Sequence, residues 1–105
     1  MEPLAKKEHL NRLFDLYAPL LTDRQAEYFR YYHHQDYSLQ EISEIFNVSR
    51  NAIFDQLKKV ESHLLNYEAK LHLLTDNERR QKAIDALEKG AYKEALTILK
   101  EGEDL

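Results

Sequence analysis

Apolar residues recur at spacings of three and four along most of this chain, the pattern of amphipathic helices rather than the strict alternation of half-buried strands. Leu10, Leu13, Phe14, Tyr17, Leu20 and Leu21 fall on one stripe and predict a first helix, which Pro19 should end or kink. Thr22 followed by Gln25 is a capping box, in which each side chain satisfies a backbone N–H at a helix start. It opens a second helix through Ala26, Phe29 and Tyr32 or His33, and Gln35, Asp36 and Tyr37 read as the connection beyond it.

Ser38 with Glu41 is a second capping box and starts a short helix with Leu39, Ile42, Ile45 and Phe46 as its predicted inner face. Asn47 then falls where the chain must turn, and Asn tolerates left-handed backbone better than most residues. Ser49 is placed to cap the helix that follows. Two helices joined by so short a turn form a helix-turn-helix, whose second helix enters the DNA major groove.

That second helix continues well past the motif. Ile53, Leu57, Val60, Leu64, Tyr67, Leu71 and Leu74 alternate spacings of four and three, which are heptad a and d positions on a helix of about 25 residues. Its first half must pack inside the motif. The second half, at Leu64, Tyr67, Leu71 and Leu74, is free either to bind the C-terminal helices of the same chain or to meet a second copy, so a homodimer paired along this seam is one expectation. Thr75 and Glu78 read as a third capping box, opening a helix through Ala83, Ile84 and Leu87 that Gly90 ends. Ala91, Tyr92, Ala95, Leu96 and Leu99 give a last helix its apolar face. The string GAYKEALTIL also looks like part of a tetratricopeptide repeat, but one half-repeat makes no solenoid, and a local helical hairpin is the better reading. The expected organisation is one helical domain over 1–105, with a helix-turn-helix unit at 22–60 and an extension at 61–105.

Two Gly, two Pro and 32% charged residues suit an all-α chain, since strand-rich folds need more turn residues. No Cys is present, which excludes disulfides and thiolate metal sites. The start, MEPLAKKEHL, places charges where a signal peptide needs an apolar region, and no stretch reaches the roughly eighteen apolar residues of a membrane span, so a cytoplasmic protein is expected. No Ser-His-Asp set, Gly-rich phosphate loop or paired-carboxylate motif is recognisable, so neither catalysis nor a cofactor is expected. His33 and His34 point about 100° apart on a helix and are poorly placed to share a metal ion. The nearby Tyr28, Tyr31, Tyr32 and Tyr37 suit core rings with hydroxyls at the core's edge.

The net charge of −4 argues against indiscriminate DNA binding, which depends on neutralising phosphates, but leaves specific binding open. Between Ser49 and Lys70 four basic residues face three acidic ones, and Glu101, Glu103 and Asp104 suggest a solvated acidic tail. With Ile53, Leu57 and Val60 inward, Asn51, Asp55, Lys58 and Ser62 point outward, with Arg50 and Phe54 on the flank. Arg50 and Asn51 suit base edges, because Arg bridges guanine and Asn adenine. Ser49, Lys58 and Lys59 suit phosphates, helped by the partial positive charge of the helix start, and Gln40 can reach the DNA backbone. Asp55 fits only a cytosine contact or a protein partner.

The stretch LTDRQAEYFRYYHHQDYSLQEISEIFNVSRNAIFDQLKKVE resembles region four of bacterial sigma factors, where a Leu-Thr-x-x-Gln helix start precedes a helix-turn-helix. Ser43 and Asn47 stand where that pattern usually has Ala and Gly. Across nearly its whole length, including the long helix and the GAYKEAL-like end, the chain is similar to the YlxM family of small bacterial helix-turn-helix proteins. That resemblance implies a DNA-binding regulator connected with the signal recognition particle pathway. The alternative it leaves open is a protein or RNA adaptor of that pathway using the same fold.

Overall fold

A computed structural model describes residues 3–102. Among the described residues there is no strand, and the fold is all-α, with a helix-turn-helix, a long heptad-patterned helix and a C-terminal hairpin. In chain order the helices are α1 (Pro3–Tyr17), α2 (Asp23–Phe29), α3 (Leu39–Phe46), α4 (Arg50–Leu71), α5 (Leu73–Glu88) and α6 (Tyr92–Glu101). Two compact units are distinguished, one of residues 1–70 and one of residues 71–105. The acidic positions Glu103 and Asp104 lie outside the described residues.

In the first unit, α1 ends at Tyr17 and a single 3₁₀ turn, Ala18–Leu20, carries Pro19, because proline has no N–H to continue the α-helical ladder. Leu10, Leu13, Phe14, Tyr17 and Leu21 are buried as the periodicity predicts. Leu20 is 53% exposed, since the tighter turn rotates it off the stripe. The Thr22 capping box forms: its hydroxyl accepts from the Gln25 backbone N–H at 3.1 Å, and the Gln25 side chain accepts from Thr22 N at 3.3 Å. The α2 ladder then widens into a π turn over Arg30–His34, where Gln35 N donates to Arg30 O at 3.0 Å, and Asp36 takes a left-handed backbone with φ 56°. Phe29, fully buried, stacks on Phe14 at 4.2 Å between ring centres.

In the second unit, α5 and α6 form a hairpin closed by Gly90 at φ 78°. The Gly90 N–H donates to Leu87 O and the Ala91 N–H to Ala86 O, a paired arrangement that satisfies two of the last carbonyls of α5. A Cβ on Gly102 would lie 2.6 Å from the Arg79 guanidinium, which sets the end of α6 beside the middle of α5 and makes the two helices antiparallel.

Three expectations about these elements are corrected. The long helix ends at Leu71, and His72, left-handed at φ 57°, separates it from α5, so Leu74 lies on the next helix. Helix α5 starts at Leu73 with His72 as N-cap residue, two residues before the expected start, so Thr75 sits inside its first turn. Within the hairpin, the buried residues are Leu74, Ala83, Ala86 and Ala95, while Ile84, Leu87, Tyr92, Leu96 and Leu99 are exposed. Small side chains let the helix axes approach, and the larger residues are left on another face. Among the described residues no helix is long and apolar enough to cross a membrane.

Candidate nucleic-acid interface

The helix-turn-helix is held by a small core of Tyr28, Ile42 and Ile53, with Tyr31, Tyr37, Leu39, Phe46 and Leu57 packed against it. Ser38 caps α3 as expected: its hydroxyl accepts from Glu41 N at 3.1 Å and Glu41 accepts from Ser38 N at 3.0 Å. Such a cap contributes about 1 kcal/mol. Along α3, Leu39, Ile42, Ser43 and Phe46 cover an arc of about 100°, with Ile45 about 60° beyond its edge. Ile45 is accordingly 48% exposed and Ser43 is buried, the reverse of the ranking by hydrophobicity alone. The Ser43 hydroxyl donates to Gln40 O at 2.8 Å, so this buried polar group is satisfied.

Asn47 adopts φ 54° and ψ 47°, and the N–H groups of Asn47 and Val48 both donate to Ser43 O, which turns the chain sharply out of α3. Ser49 then caps α4, its hydroxyl accepting from Ala52 N at 3.0 Å. Ile53, Val60 and Leu64 are fully buried along α4. That burial fixes which face of the helix is left outward.

All six residues expected at DNA, Gln40, Ser49, Arg50, Asn51, Lys58 and Lys59, are exposed, as are Asp55 and Ser62. At about 100° per residue, Arg50, Phe54, Lys58, Asn51, Ser62 and Asp55 follow one another within a single arc of about 140° on α4. Gln40 is partly engaged, since its side-chain amide donates to Glu44 at 3.0 Å. Lys58 is engaged twice: its ammonium lies 5.5 Å from the centre of the Phe54 ring and 3.9 Å from a Glu61 oxygen. The other Glu61 oxygen pairs with Lys6 at 2.6 Å. This carboxylate therefore offsets part of the positive charge beside the outward face.

Two features had no sequence signal in the pattern of α4 itself. Arg24, on α2, lies 4.7 Å over the Phe46 ring, which brings an exposed cation from the preceding helix to the end of α3. A groove of about 560 Å³ also opens between α1, the π turn and α4, lined by Lys6, Lys7, His33, Phe54, Lys58 and Glu61 among others. His33 is held at a pKa of about 4, by burial first and then by Lys7 and His34, so it is neutral at neutral pH. Its ring packs on Phe29 at 4.3 Å and its Nδ1 is buried without a hydrogen-bond partner. His34 packs edge-on against Phe14 and Phe29. Both histidines thus take part in the aromatic packing of the first unit.

The residues expected at a dimer seam separate. Leu64 is fully buried inside one chain, Tyr67 is half-buried and donates its hydroxyl hydrogen to Leu20 O at 3.2 Å, Leu71 is exposed, and Leu74 is buried. The first half of the seam is used within the chain: Leu64 is buried, and the Tyr67 ring lies 5.8 Å from that of Tyr17. Helix α4 ends at Leu71, and Leu74 belongs to α5 beyond the left-handed His72.

Sequence comparison accords with this geometry. The profile of the family described as "Putative helix-turn-helix protein, YlxM / p13 like" matches residues 4–102. The UPF0122 protein OB1530 of Oceanobacillus iheyensis is 48% identical over 84 residues, covering 80% of each chain. UPF0122 proteins of Streptococcus mutans serotype c and Limosilactobacillus reuteri are 45% and 44% identical over 86 residues, covering 82% of this chain and 78% and 76% of theirs. A capped, left-handed turn between α3 and α4, and similarity running through both units, lead to one conclusion: this chain belongs to the YlxM / p13-like family of helix-turn-helix proteins, UPF0122.

Proposed function

We propose that this protein is a DNA-binding regulator of the cytoplasm that places the first turns of α4 in the major groove. The observation that carries the reading is the outward arc of α4. Arg50 and Asn51 stand at its capped start, free of any ion pair among the described residues, while Ile53, Val60 and Leu64 lock the opposite face into the core. In this reading Arg50 and Asn51 contact base edges, and Ser49, Lys58, Lys59 and Gln40 contact phosphate. Arg24 adds a further phosphate contact from α2. Residues 22–60 act as the DNA-reading unit, and two copies present two such helices to paired half-sites, so that few phosphate contacts per chain add across the pair.

Selection of bound fragments from random duplex DNA by the purified protein tests this. The expected outcome is an enriched, two-fold symmetric motif whose base preference relaxes at one position in Arg50→Ala. No enrichment over input would overturn it. A second reading, an adaptor for protein or RNA in the signal recognition particle pathway, draws support from the net charge of −4 and from Glu61 beside Lys58. It predicts the failure of that selection together with retained binding to a component of the particle.

A further inference from the structure

The second unit leaves large apolar side chains in water. Leu73, Ile84 and Leu87 on α5 and Leu96 and Leu99 on α6 are between 41% and 53% exposed, and Tyr92 is 69% exposed. Helical geometry shows that they form one face. At about 100° per residue, Leu73, Ile84 and Leu87 lie within an arc of about 60° that also holds the exposed Arg80, and Tyr92, Leu96 and Leu99 lie within another of the same width. The residues turned toward the partner helix are Arg79, Ala83 and Ala86 on α5 and Ala95 and Gly102 on α6. On each helix the exposed stripe lies about a quarter turn from the inward one, in the same rotational sense. Because the helices are antiparallel, equal rotations carry both stripes to the same side of the hairpin.

We infer that this face is where two copies of the chain pair, hairpin against hairpin. Its area fits. The six fractional exposures amount to about 550 Å² of largely apolar surface per chain, so pairing buries up to about 1,100 Å² of it, a little under the standard range of specific interfaces. On a monomer it would rank among the largest apolar patches, the kind that marks an interaction site. Charge points to a second copy rather than to an acidic or basic partner. Residues 73–101 carry six basic and six acidic side chains, a net charge of zero in a chain of −4. A neutral hairpin of mixed charge neither repels its copy nor attracts a polyanion. Tyr92, a broad ring at the α5–α6 turn, has the chemistry of an interface anchor. This surface deepens the pairing invoked for DNA reading and replaces the heptad seam as its location, but it is tested without DNA, so either idea can fail alone.

Sedimentation of the full chain across a concentration series provides the test, with Leu96→Glu/Leu99→Glu as the disrupting variant and Leu65→Glu, exposed elsewhere on α4, as the control. The wild type and Leu65→Glu are expected to form dimers of equal affinity, and the double variant to dissociate at least about a hundredfold more readily with unchanged helical circular dichroism. Should the double variant lose helix, Tyr92→Ala serves instead, since so exposed a ring contributes little to the fold; about tenfold weakening is expected. A wild-type monomer at about 100 μM, a dimer insensitive to these substitutions, or equal weakening by Leu65→Glu would each overturn the assignment.

Discussion

Replacing His33 by Phe should remove a defined part of the acid sensitivity of the first unit. The imidazole is packed on Phe29 at 4.3 Å and its buried Nδ1 has no partner, so protonation in the folded state is disfavoured and the pKa falls from 6.5 to about 4. The unfolded chain keeps the ordinary value and takes up the proton first as pH falls. His33 thus costs no stability above about pH 6.5, costs progressively more between about pH 6.5 and 4, and reaches a plateau below. The full shift corresponds to about 3 kcal/mol, which solvent screening of a half-exposed ring reduces to roughly 1–2 kcal/mol. Phe preserves the stacking and does not titrate. Urea unfolding at about pH 7.5 and about pH 4.5 should then show wild type losing roughly 1–2 kcal/mol more than His33→Phe, because the two chains are otherwise identical. Equal losses within about 0.3 kcal/mol would refute the assignment of a suppressed charge to this ring.

The helix-turn-helix offers further tests of its construction. Asn47→Ala should cost about 1 kcal/mol in thermal or urea unfolding, since Ala tolerates φ 54° poorly, whereas Asn47→Gly should be neutral or stabilising. Ser38→Ala should cost about 1 kcal/mol by removing one half of the α3 capping box. Ile53→Ala, at a fully buried site between Tyr28 and Ile42, should cost about 2–5 kcal/mol, and a cost under about 1 kcal/mol would show that this cluster does not hold α4 in place.

How far the sequence revealed this molecule depended on whether the signal was local. The capping boxes at Thr22 and Ser38 and the turn at Asn47 were legible because each is decided by residues three or four apart. The break at His72 was not. The Leu71–Leu74 spacing continues a heptad across it, and a left-handed residue that is neither Gly nor Asn leaves little compositional trace. The hairpin misled in another way. Both faces of α5 and α6 contain apolar residues, and the smaller ones, Ala83, Ala86 and Ala95, took the helix contact because it requires close approach. On α4 the outward positions of Arg50, Asn51 and Lys58 followed from the burial of Ile53 and Val60. The cation that Arg24 brings from another helix, and the offset of Lys58 by Glu61, depended on tertiary packing that spacing does not encode.

Whether α4 and its neighbours read DNA is tested by measuring affinity for a mixed-sequence duplex across a salt series. Log affinity should fall linearly with log salt, and Lys58→Ala should reduce the slope by about one unit per chain. Arg50→Ala should weaken binding to a selected site by about 1–3 kcal/mol. Absence of binding at low salt, or a slope unchanged in Lys58→Ala together with unchanged affinity in Arg50→Ala, would show that α4 does not read DNA.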